Sequence, residues 1–408
     1  MMALKEGSTL KILTGNHAAS NAVKLCKPDV IAAYPITPQT QLVEELNRFR
    51  AEGEIDAEFV DVESENSAMA VVWGASNAGG RVFTATASYG LNYMYDIFTR
   101  ASGHRLPIVM VNANREPTIR GGLARGRSDM LMMRDSGWIQ LECQNCQEIF
   151  DTVIAAYRIA EDADVLLPVM ISYDGWYISF LLERVEIPSQ QLVDKFLQPV
   201  AGVERLRVIP GYPGEPPNPQ LPKLLPPENF MEVHLKHGLA MDGVKDKVDQ
   251  VAAEFEDIFG RSLVTKIEEY KTEDADVLFV AMGGEAMSSR VIIDKKRAEG
   301  HKIGLVRIKM YRPCPEKELA RVLRGRKAVG VLEQGVANGW NRGYVYLDLT
   351  TVMYRAGIQM PMVNFFDGMN GGDITLEHIE KAVDITIDAA QGKDVEEYYW
   401  LALPWLFE

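Results

Sequence analysis

Short apolar runs rich in β-branched residues alternate with amphipathic stretches along the N-terminal half of the chain. The runs lie at residues 30–34, 57–62, 81–86, 107–112 and 169–173. Strands that alternate with helices are typical of a parallel sheet whose faces are covered by those helices. The pattern therefore predicts an α/β domain, in which ligands bind beyond the carboxyl ends of the strands.

Two helices between these strands are predicted from their periodicity and their ends. Residues 65–78 include many small side chains, which allow close packing, and Gly79-Gly80 after them is a natural C-cap. Residues 145–160 carry apolar side chains at near-helical spacing.

A proline-rich segment separates this domain from a second α/β series. Residues 209–227 contain too many prolines for a helix or a central strand. A polar helical region follows near residues 242–270, and strand-like apolar runs follow at 277–282, 303–308 and 328–332.

Three parts of the chain are therefore predicted. They are a first domain over residues 1–208, a proline-rich linker over 209–240, and a smaller α/β domain with a C-terminal tail over 241–408. Gly283-Gly284-Glu285 follows the first strand of the second domain but lacks the full GxGxxG spacing. We expect a plain strand-to-helix turn there rather than a nucleotide site.

Composition narrows the choice of partners. The 408 residues carry a formal net charge of −14 at pH 7, whereas nucleic-acid binding needs a clustered basic face. No apolar run reaches the roughly 18 residues of a membrane span, and residues 1–15 lack the apolar core of a secretory signal. We therefore predict a cytoplasmic protein with no nucleic-acid and no membrane partner.

The four cysteines are Cys26, Cys143, Cys146 and Cys314, which are too few for a disulfide framework. Cys143 and Cys146 are two residues apart, but a metal or cluster site needs three or four thiolates or imidazoles, and no second pair completes this one. We expect two small buried or half-buried side chains, and no metal site in this chain.

Polar clusters follow three of the predicted strands. Residues 34–40 include Thr37, residues 62–68 include Glu63 and Glu65, and Arg115 follows the strand at 107–112. Parallel strands bring such clusters to one sheet edge. A hydroxyl, a carboxylate at a helix start and a guanidinium suit an anionic substrate and a cofactor that needs a protonatable partner.

At these residues the sequence resembles the alpha, or pyrimidine-binding, subunit of the pyruvate and 2-oxoacid:ferredoxin oxidoreductase family, which includes phenylglyoxylate-type enzymes. Several ordered motifs carry the resemblance, which makes it far more specific than one fingerprint. They are Ala33-Tyr34-Pro35-Ile36-Thr37-Pro38-Gln39-Thr40, Val62-Glu63-Ser64-Glu65, Thr84-Ala85-Thr86, Leu106-Pro107-Ile108-Val109-Met110, Arg134-Asp135-Ser136-Gly137-Trp138-Ile139-Gln140, Leu167-Pro168-Val169-Met170 and Val306-Arg307-Ile308-Lys309-Met310-Tyr311-Arg312-Pro313.

The resemblance implies a thiamine-diphosphate-binding-type parallel sheet domain followed by a smaller, transketolase C-terminal-like α/β domain. It implies a complex that converts a 2-oxoacid and CoA to acyl-CoA, CO2 and reduced acceptor, with pyruvate or a bulkier aryl 2-oxoacid such as phenylglyoxylate as substrate. Thiamine diphosphate would be shared with a beta subunit that holds the diphosphate, Mg2+ and an iron-sulfur cluster. Gamma and ferredoxin-like subunits, and a flavin- or NAD-linked subunit, are the other expected partners.

The same resemblance assigns roles to individual residues. Glu65 matches the carboxylate that hydrogen-bonds the pyrimidine ring nitrogen and so acts in catalysis, and Pro35 and Ile36 are expected to contact the cofactor. Thr37 and Arg115 match the contacts to the substrate carboxylate. On spacing alone Glu63 competes with Glu65, and either could simply cap the following helix. Thr37 could instead fix a turn, and Arg115 could form a structural ion pair.

The loop over residues 116–129 departs from the pyruvate-type pattern. Where that pattern carries bulky residues, this chain has small ones and three further arginines, Arg120, Arg125 and Arg127. The loss of bulk could admit a larger acyl group, and the arginines could serve CoA phosphates or additional substrate charge. A mobile surface lid would explain the loop equally well.

Two other functions stay open at this point. A non-catalytic assembly subunit of the same complex would keep the fold but not the chemistry, although retention of Thr37, Glu65 and Arg115 together speaks against it. A different thiamine enzyme with its whole site on one chain would need its own diphosphate and Mg2+ motif, and none is visible.

Overall fold

The computed structural model describes residues 7–117, 122–123, 125–198 and 227–403. The strands are β1 (Thr9–Leu13), β2 (Val30–Ile31), β3 (Glu58–Phe59), β4 (Val82–Thr86), β5 (Val109–Asn114), β6 (Ile139–Cys143), β7 (Val169–Asp174), β8 (Glu183–Ile187), β9 (Ile267–Tyr270), β10 (Val277–Met282), β11 (Ile303–Ile308), β12 (Met310–Arg312), β13 (Ala328–Glu333), β14 (Met362–Phe366) and β15 (Tyr398–Trp400).

The helices cover the faces of these strands. They are α1 (Gly15–Cys26), α2 (Thr40–Ala51), α3 (Glu65–Asn77), α4 (Ser88–Tyr93), α5 (Tyr95–Gly103), α6 (Ser128–Met132), α7 (Cys146–Ala160), α8 (Tyr177–Phe180), α9 (Gln190–Phe196), α10 (Pro227–Phe259), α11 (Gly283–Ala298), α12 (Glu316–Leu323), α13 (Tyr344–Ala356) and α14 (Leu376–Ala390), with a 3₁₀ turn over Met369–Gly371.

Seven strands form the first sheet, in the order β12-β6-β7-β5-β4-β2-β3. All neighbours pair in parallel except β12, which is antiparallel to β6. Every residue of β4, β5, β6 and β7 is buried, as expected for a sheet covered on both faces. The predicted parallel α/β domain is therefore present.

Both predicted helices of this domain are confirmed close to their predicted ends. Ser64 caps α3 by accepting a hydrogen bond from Ser67 N, and Gly79 follows the helix with a φ of +87°. Asn145 caps α7 through a bond from Glu148 N. Side-chain acceptors before the first turn explain both starts, because they satisfy N–H groups that have no intrahelical partner.

The strands agree less closely with prediction. The runs at 30–34 and 57–62 give only the two-residue strands β2 and β3. After β2 the chain leaves the sheet before Pro35 and Pro38. Strand β6 was not predicted, because the polar residues Gln140 and Glu142 interrupt its apolar run although both are fully buried.

A second sheet forms from the later strands, in the order β15-β14-β13-β10-β11-β9. Its pairings are parallel except for β9, which runs antiparallel to β11. Helices α11 and α14 pack against β10, β11 and β13 from one face. The predicted second α/β series is therefore present.

Helix α10 corrects the predicted linker. It starts at Pro227, so residues 227–240 are helical, while residues 209–226 lie outside the described residues. Proline is tolerated in the first turn of a helix, and no proline follows within α10. The helix buries Val244, Val251 and Phe255 in the core of the first sheet, although residues 241–259 were predicted to belong to the second domain. The other predicted boundaries stay predictions.

The two sheets are joined closely. Lys309 is the one residue between β11 in the second sheet and β12 in the first. Within the part of the chain that the structure describes, no helix combines the length and the apolar character needed to cross a membrane.

Candidate active site

The carboxyl ends of β2, β4, β5 and β7 meet at one edge of the first sheet, since these strands are parallel neighbours. The polar clusters predicted from the sequence follow these ends or begin α3 beside them. Parallel α/β sheets bind their ligands at this edge. The candidate site is therefore built from loops and helix starts on a buried, rigid sheet.

Glu65 is the first residue of α3 and is half-buried. Its carboxylate makes no hydrogen bond or ion pair with any residue that the structure describes. The neighbouring Glu63 is exposed, and it accepts a hydrogen bond from Ser67 Oγ at 2.6 Å, which is the main cause of its lowered pKa. The hydrogen bond from Ser67 thus occupies the carboxylate of Glu63, whereas the carboxylate of Glu65 remains available to a ligand.

Helix α4 closes one side of Glu65. A Cβ added to Gly90 would lie 2.5 Å from Thr86 Oγ1, 2.7 Å from Glu65 Cγ and 2.8 Å from Glu65 Oε1. Only glycine therefore allows this approach. Among the described residues, the buried hydroxyls of Thr86 and Ser88 have no hydrogen-bond partner. Unsatisfied buried polar groups beside a free carboxylate suit a polar ligand that carries both donors and acceptors.

The structure brings Thr37 and Arg115 together. Arg115 Nη1 donates to Thr37 O at 3.0 Å, and Nε donates to Gly122 O at 2.7 Å. Thr37 is exposed, as is Pro35, and Ile36 is half-buried. The side chain of Gln39 fixes this motif, because its Nε2 donates to Tyr34 O and to Ala85 O of β4. No contact joins Glu65 directly to Thr37 or Arg115 among these residues.

Asp129 is a member of the site that sequence reasoning missed. Its Oδ2 accepts from Ser88 N at 3.0 Å, Arg115 N at 3.0 Å and Asn112 Nδ2 at 3.1 Å, and Oδ1 accepts from Met130 N at 2.8 Å. Burial raises the pKa of Asp129 to about 6, and the four donors oppose this shift. An aspartate in a loop of glycines and arginines gave no signal of such burial.

Two arginines of the 116–129 loop are buried rather than available to a ligand. Arg125 donates to Gly372 O and lies over the ring of Tyr177. Arg127 pairs with Glu142 at 2.9 Å and with Glu285, and it is 2% exposed. The burial of Arg125 and Arg127 contradicts the expectation that these two arginines serve CoA phosphates, whereas the alternative of a mobile lid stays a prediction. Arg120 lies outside the described residues.

The turn at Gly283-Gly284-Glu285 is part of this ion-pair group and not a nucleotide site. Gly283 has a φ of +54°, and a Cβ there would lie 2.5 Å from Arg127 Nη2 and 2.9 Å from Glu142 Oε1. Glu285 forms a two-pronged pair with Arg127. The first glycine is needed for close approach between the domains.

The cysteines take structural positions. Cys143 and Cys146 are both buried, and burial raises the pKa of both thiols, that of Cys143 to about 11. The expected small buried side chains are therefore found. Across the described ranges no three His, Cys, Asp or Glu side chains group as a metal site requires.

The two parallel α/β domains and the polar strand edge define an α/β protein of the transketolase type. A split-gene transketolase, described as an inactive beta4 tetramer, matches with a TM-score of 0.56 at 14% identity, over 93% of this chain and 97% of that chain. A 2-oxoglutarate:ferredoxin oxidoreductase from Magnetococcus marinus, with 2-oxoglutarate, coenzyme A and succinyl-CoA bound, matches with a TM-score of 0.69 at 21% identity. The match covers 93% of this chain and 65% of that chain. At these identities the likeness shows the fold alone.

Sequence comparisons go further. Residues 21–256 match the family described as "Pyruvate flavodoxin/ferredoxin oxidoreductase, thiamine diP-bdg", and residues 275–379 match "Pyruvate:ferredoxin oxidoreductase core domain II". Pyruvate synthase subunit PorA from Pyrococcus furiosus is 40% identical over 97% of this chain and 98% of its own length. The alpha subunit of NADH-dependent phenylglyoxylate dehydrogenase from Aromatoleum evansii is 35% identical over 91% of this chain and 89% of its own length.

The chain belongs to the pyruvate and 2-oxoacid:ferredoxin oxidoreductase family, as an alpha subunit. It is therefore a subunit of a multi-subunit, thiamine-diphosphate-dependent 2-oxoacid oxidoreductase. This result confirms the predicted family, the predicted enzyme class and the predicted pair of domains, a thiamine-diphosphate-binding-type domain followed by a transketolase-like α/β domain.

Proposed function

We propose that this chain holds the aminopyrimidine half of thiamine diphosphate at the strand edge, and that its complex oxidises pyruvate with CoA to acetyl-CoA and CO2. The free carboxylate of Glu65, at the start of α3 and against Gly90, is the observation that carries the proposal. Pyruvate is favoured because several relatives of 38 to 40% identity are named pyruvate synthase subunits.

The residues around Glu65 fit an aminopyrimidine ring. The Glu65 carboxyl would share a proton with a ring nitrogen, which is a role that a half-buried carboxyl at a strand edge can fill. Pro35 and Ile36 would contact the ring. The unpartnered hydroxyls of Thr86 and Ser88 offer further hydrogen bonds near Glu65. Thiamine diphosphate, when bound, supplies the electron sink for decarboxylation.

Arg115 and Thr37 would hold the carboxylate of the 2-oxoacid. The guanidinium of Arg115 uses Nε and Nη1 on backbone carbonyls, and its Nη2 makes no hydrogen bond with a described residue. A fixed guanidinium with a free N–H can form a charge-assisted hydrogen bond to a carboxylate. The exposed Thr37 hydroxyl adds a second donor.

Other parts of the reaction would lie on partner subunits. A beta subunit would bind the diphosphate with Mg2+ and carry an iron-sulfur cluster, and gamma and ferredoxin-like subunits would pass the electrons on. A flavin- or NAD-linked subunit is a further proposed partner, which the NADH-dependent relative supports. We also propose a cytoplasmic location, supported by the acidic composition and the scarcity of cysteine.

Phenylglyoxylate is the second candidate substrate. Leu123 is 61% exposed and directly follows Gly122, whose carbonyl holds Arg115. An exposed apolar side chain beside the proposed carboxylate contact would suit an aryl group. The relative from Aromatoleum evansii, named for phenylglyoxylate, supports the same choice.

The test compares Glu65→Gln with Glu63→Gln in the complex purified with its native partners. CoA-dependent dye reduction would be measured with pyruvate, 2-oxoglutarate, oxalate and phenylglyoxylate. We expect pyruvate to be the best substrate, a loss of at least about 100-fold in kcat for Glu65→Gln, and a change within about twofold for Glu63→Gln. Equal activity of the two variants would reject the role of Glu65. A wild-type complex inactive with all four acids would favour the assembly-subunit function.

A further inference from the structure

Asp129 joins the start of α4 to the end of β5 through one carboxylate. Its Oδ2 accepts hydrogen bonds from the backbone N–H of Ser88, the backbone N–H of Arg115 and the side chain of Asn112. The first belongs to the start of α4, the second follows β5, and the third lies within β5. The residue itself is 0% exposed, so it cannot touch a substrate from solvent.

The surroundings of this carboxylate are unusual for a buried charge. All four of its hydrogen-bond partners are donors, so the ionised form is the one that satisfies them all. No Lys, Arg or His forms an ion pair with Asp129 among the residues that the structure describes. Burial of a charge costs free energy unless the charge is paired or hydrogen-bonded, so the four donors offset this cost and are in turn held in place by the carboxylate.

That geometry reaches both proposed ligands. Ser88 begins α4 with a φ of +51°, and Gly90, two residues on, lies against Glu65. On the other side, Arg115 N is held 3.0 Å from the same oxygen, so the start of the Arg115 side chain is fixed relative to α4. One oxygen atom thus sets the spacing between the cofactor side and the substrate side of the edge.

We propose that Asp129 is a positioning residue that holds Arg115 and helix α4 in the arrangement needed to bind the 2-oxoacid carboxylate beside the cofactor. The proposal rests on the proposed role of Arg115. Asp129 acts through backbone N–H groups and takes no part in the chemistry. Its replacement therefore weakens binding of the 2-oxoacid and leaves the separate binding of CoA unchanged.

The experiment uses the complete complex and measures kcat and the KM for pyruvate and for CoA. Asp129→Asn places an amide N–H where an acceptor is needed, and we expect the KM for pyruvate to rise about tenfold, with kcat within about threefold. The matched control is Asp151→Asn, because Asp151 on α7 is also buried but pairs with Arg261, which follows α10, away from the edge. In that variant both KM values should stay at the wild-type level.

Arg115→Gln separates failure of the inference from failure of the proposed function. If Arg115→Gln leaves the KM for pyruvate unchanged, the proposed substrate contact is wrong. If it raises that KM while Asp129→Asn does not, only the positioning role of Asp129 is rejected. The double variant should bind pyruvate no more weakly than Arg115→Gln alone, and fully additive effects would overturn the inference.

A second variant covers failure of Asp129→Asn to assemble. Asn112→Ala removes the side-chain donor to Asp129, together with the hydrogen bond from Asn112 Nδ2 to Asn114 Oδ1, and keeps the three backbone donors to Asp129. We expect a rise of about threefold in the KM for pyruvate, at an unchanged KM for CoA. An unchanged KM for pyruvate in this variant would reject the proposal.

Discussion

Two groups of charged side chains, one at the contact between the two sheets and one at the candidate site, differ in how their hydrogen bonds are used. Arg127, Glu142 and Glu285 are almost wholly buried, and each bonds another member of the group. Glu65 and Arg115 are less buried, and they keep unused capacity toward solvent. The groups that we propose to be functional thus differ from the buried ion-pair group both in exposure and in unused hydrogen-bonding capacity.

Replacement of Arg127 by alanine should produce the largest change on the structural side. It would leave Glu142 and Glu285 buried without a cation, and we expect a loss of about 4 kcal/mol in the free energy of unfolding. Chemical denaturation of wild-type and variant protein measures this loss. Arg342→Ala is the control, because its partner Glu397 is half exposed, and its cost should stay within about 1 kcal/mol. Equal losses of unfolding free energy in the two variants would show that the buried ion-pair group of Arg127 is no more important for stability than an exposed pair.

Gly283→Ala should disrupt the same ion-pair group, because the backbone of Gly283 lies directly against it. The new Cβ would meet Arg127 and Glu142 at a residue with positive φ, so we expect a loss of about 2 to 3 kcal/mol in unfolding free energy. Gly300→Ala is the matched control, since Gly300 also has positive φ but its Cβ would meet open space. That control should lose about 1 kcal/mol from backbone strain alone. A smaller loss at Gly283 than at Gly300 would contradict the close approach.

Arg115→Lys tests whether the unused hydrogen-bonding capacity of Arg115 serves the substrate carboxylate. A single ammonium cannot reach Thr37 O, Gly122 O and a substrate carboxylate together, so we expect the KM for the 2-oxoacid to rise about tenfold. Steady-state kinetics of the complex would show the change. Arg105→Lys should leave the KM for the 2-oxoacid unchanged, because Arg105 lies before β5, at the end of the strand opposite to the candidate site. A fall in stability without a change in KM would make Arg115 structural instead.

The smallest predicted effect concerns pH. Burial raises the pKa of Asp129 from 3.8 to about 6, so its stabilising contribution is present at low pH and is lost as the pH rises through about 6. Relative to Asp129→Asn, the wild type should therefore gain about 1 kcal/mol in unfolding free energy between pH 7.5 and pH 5. Denaturation at the two pH values measures the difference. If the wild type instead loses unfolding free energy between pH 7.5 and pH 5, the four hydrogen-bond donors lower the pKa of Asp129 more than burial raises it.

Local signals predicted much of the fold. Helix α3 was predicted from its small side chains and from the Gly79-Gly80 pair after it, and helix α7 from its near-helical apolar spacing. Strand β6 was not predicted, since Gln140 and Glu142 are polar and resemble surface residues in the sequence, although both are buried. Helix α10 could not be separated from the proline-rich segment before it, because Pro227 belongs to both.

The site was predicted to a similar extent. Thr37, Glu65 and Arg115 could be nominated because each lies in or beside a motif near the end of a predicted strand, although their roles stay predictions. The buried ion pair of Arg127 was not predicted, since its partner Glu285 lies 158 residues further along the chain. Asp129 gave no signal, because three of its four donors, Ser88 N, Arg115 N and Asn112 Nδ2, come from other segments of the chain.

Strand β12 limits where this chain can be divided into two parts. Its residues lie within 275–379, the second matched family segment, yet they form the edge of the first sheet beside β6. A gene split between the two matched segments, after residue 256, would therefore leave the first half without its last strand and expose the backbone of β6. The boundary that sequence families draw is not one at which this protein can be cut into two independently folding halves.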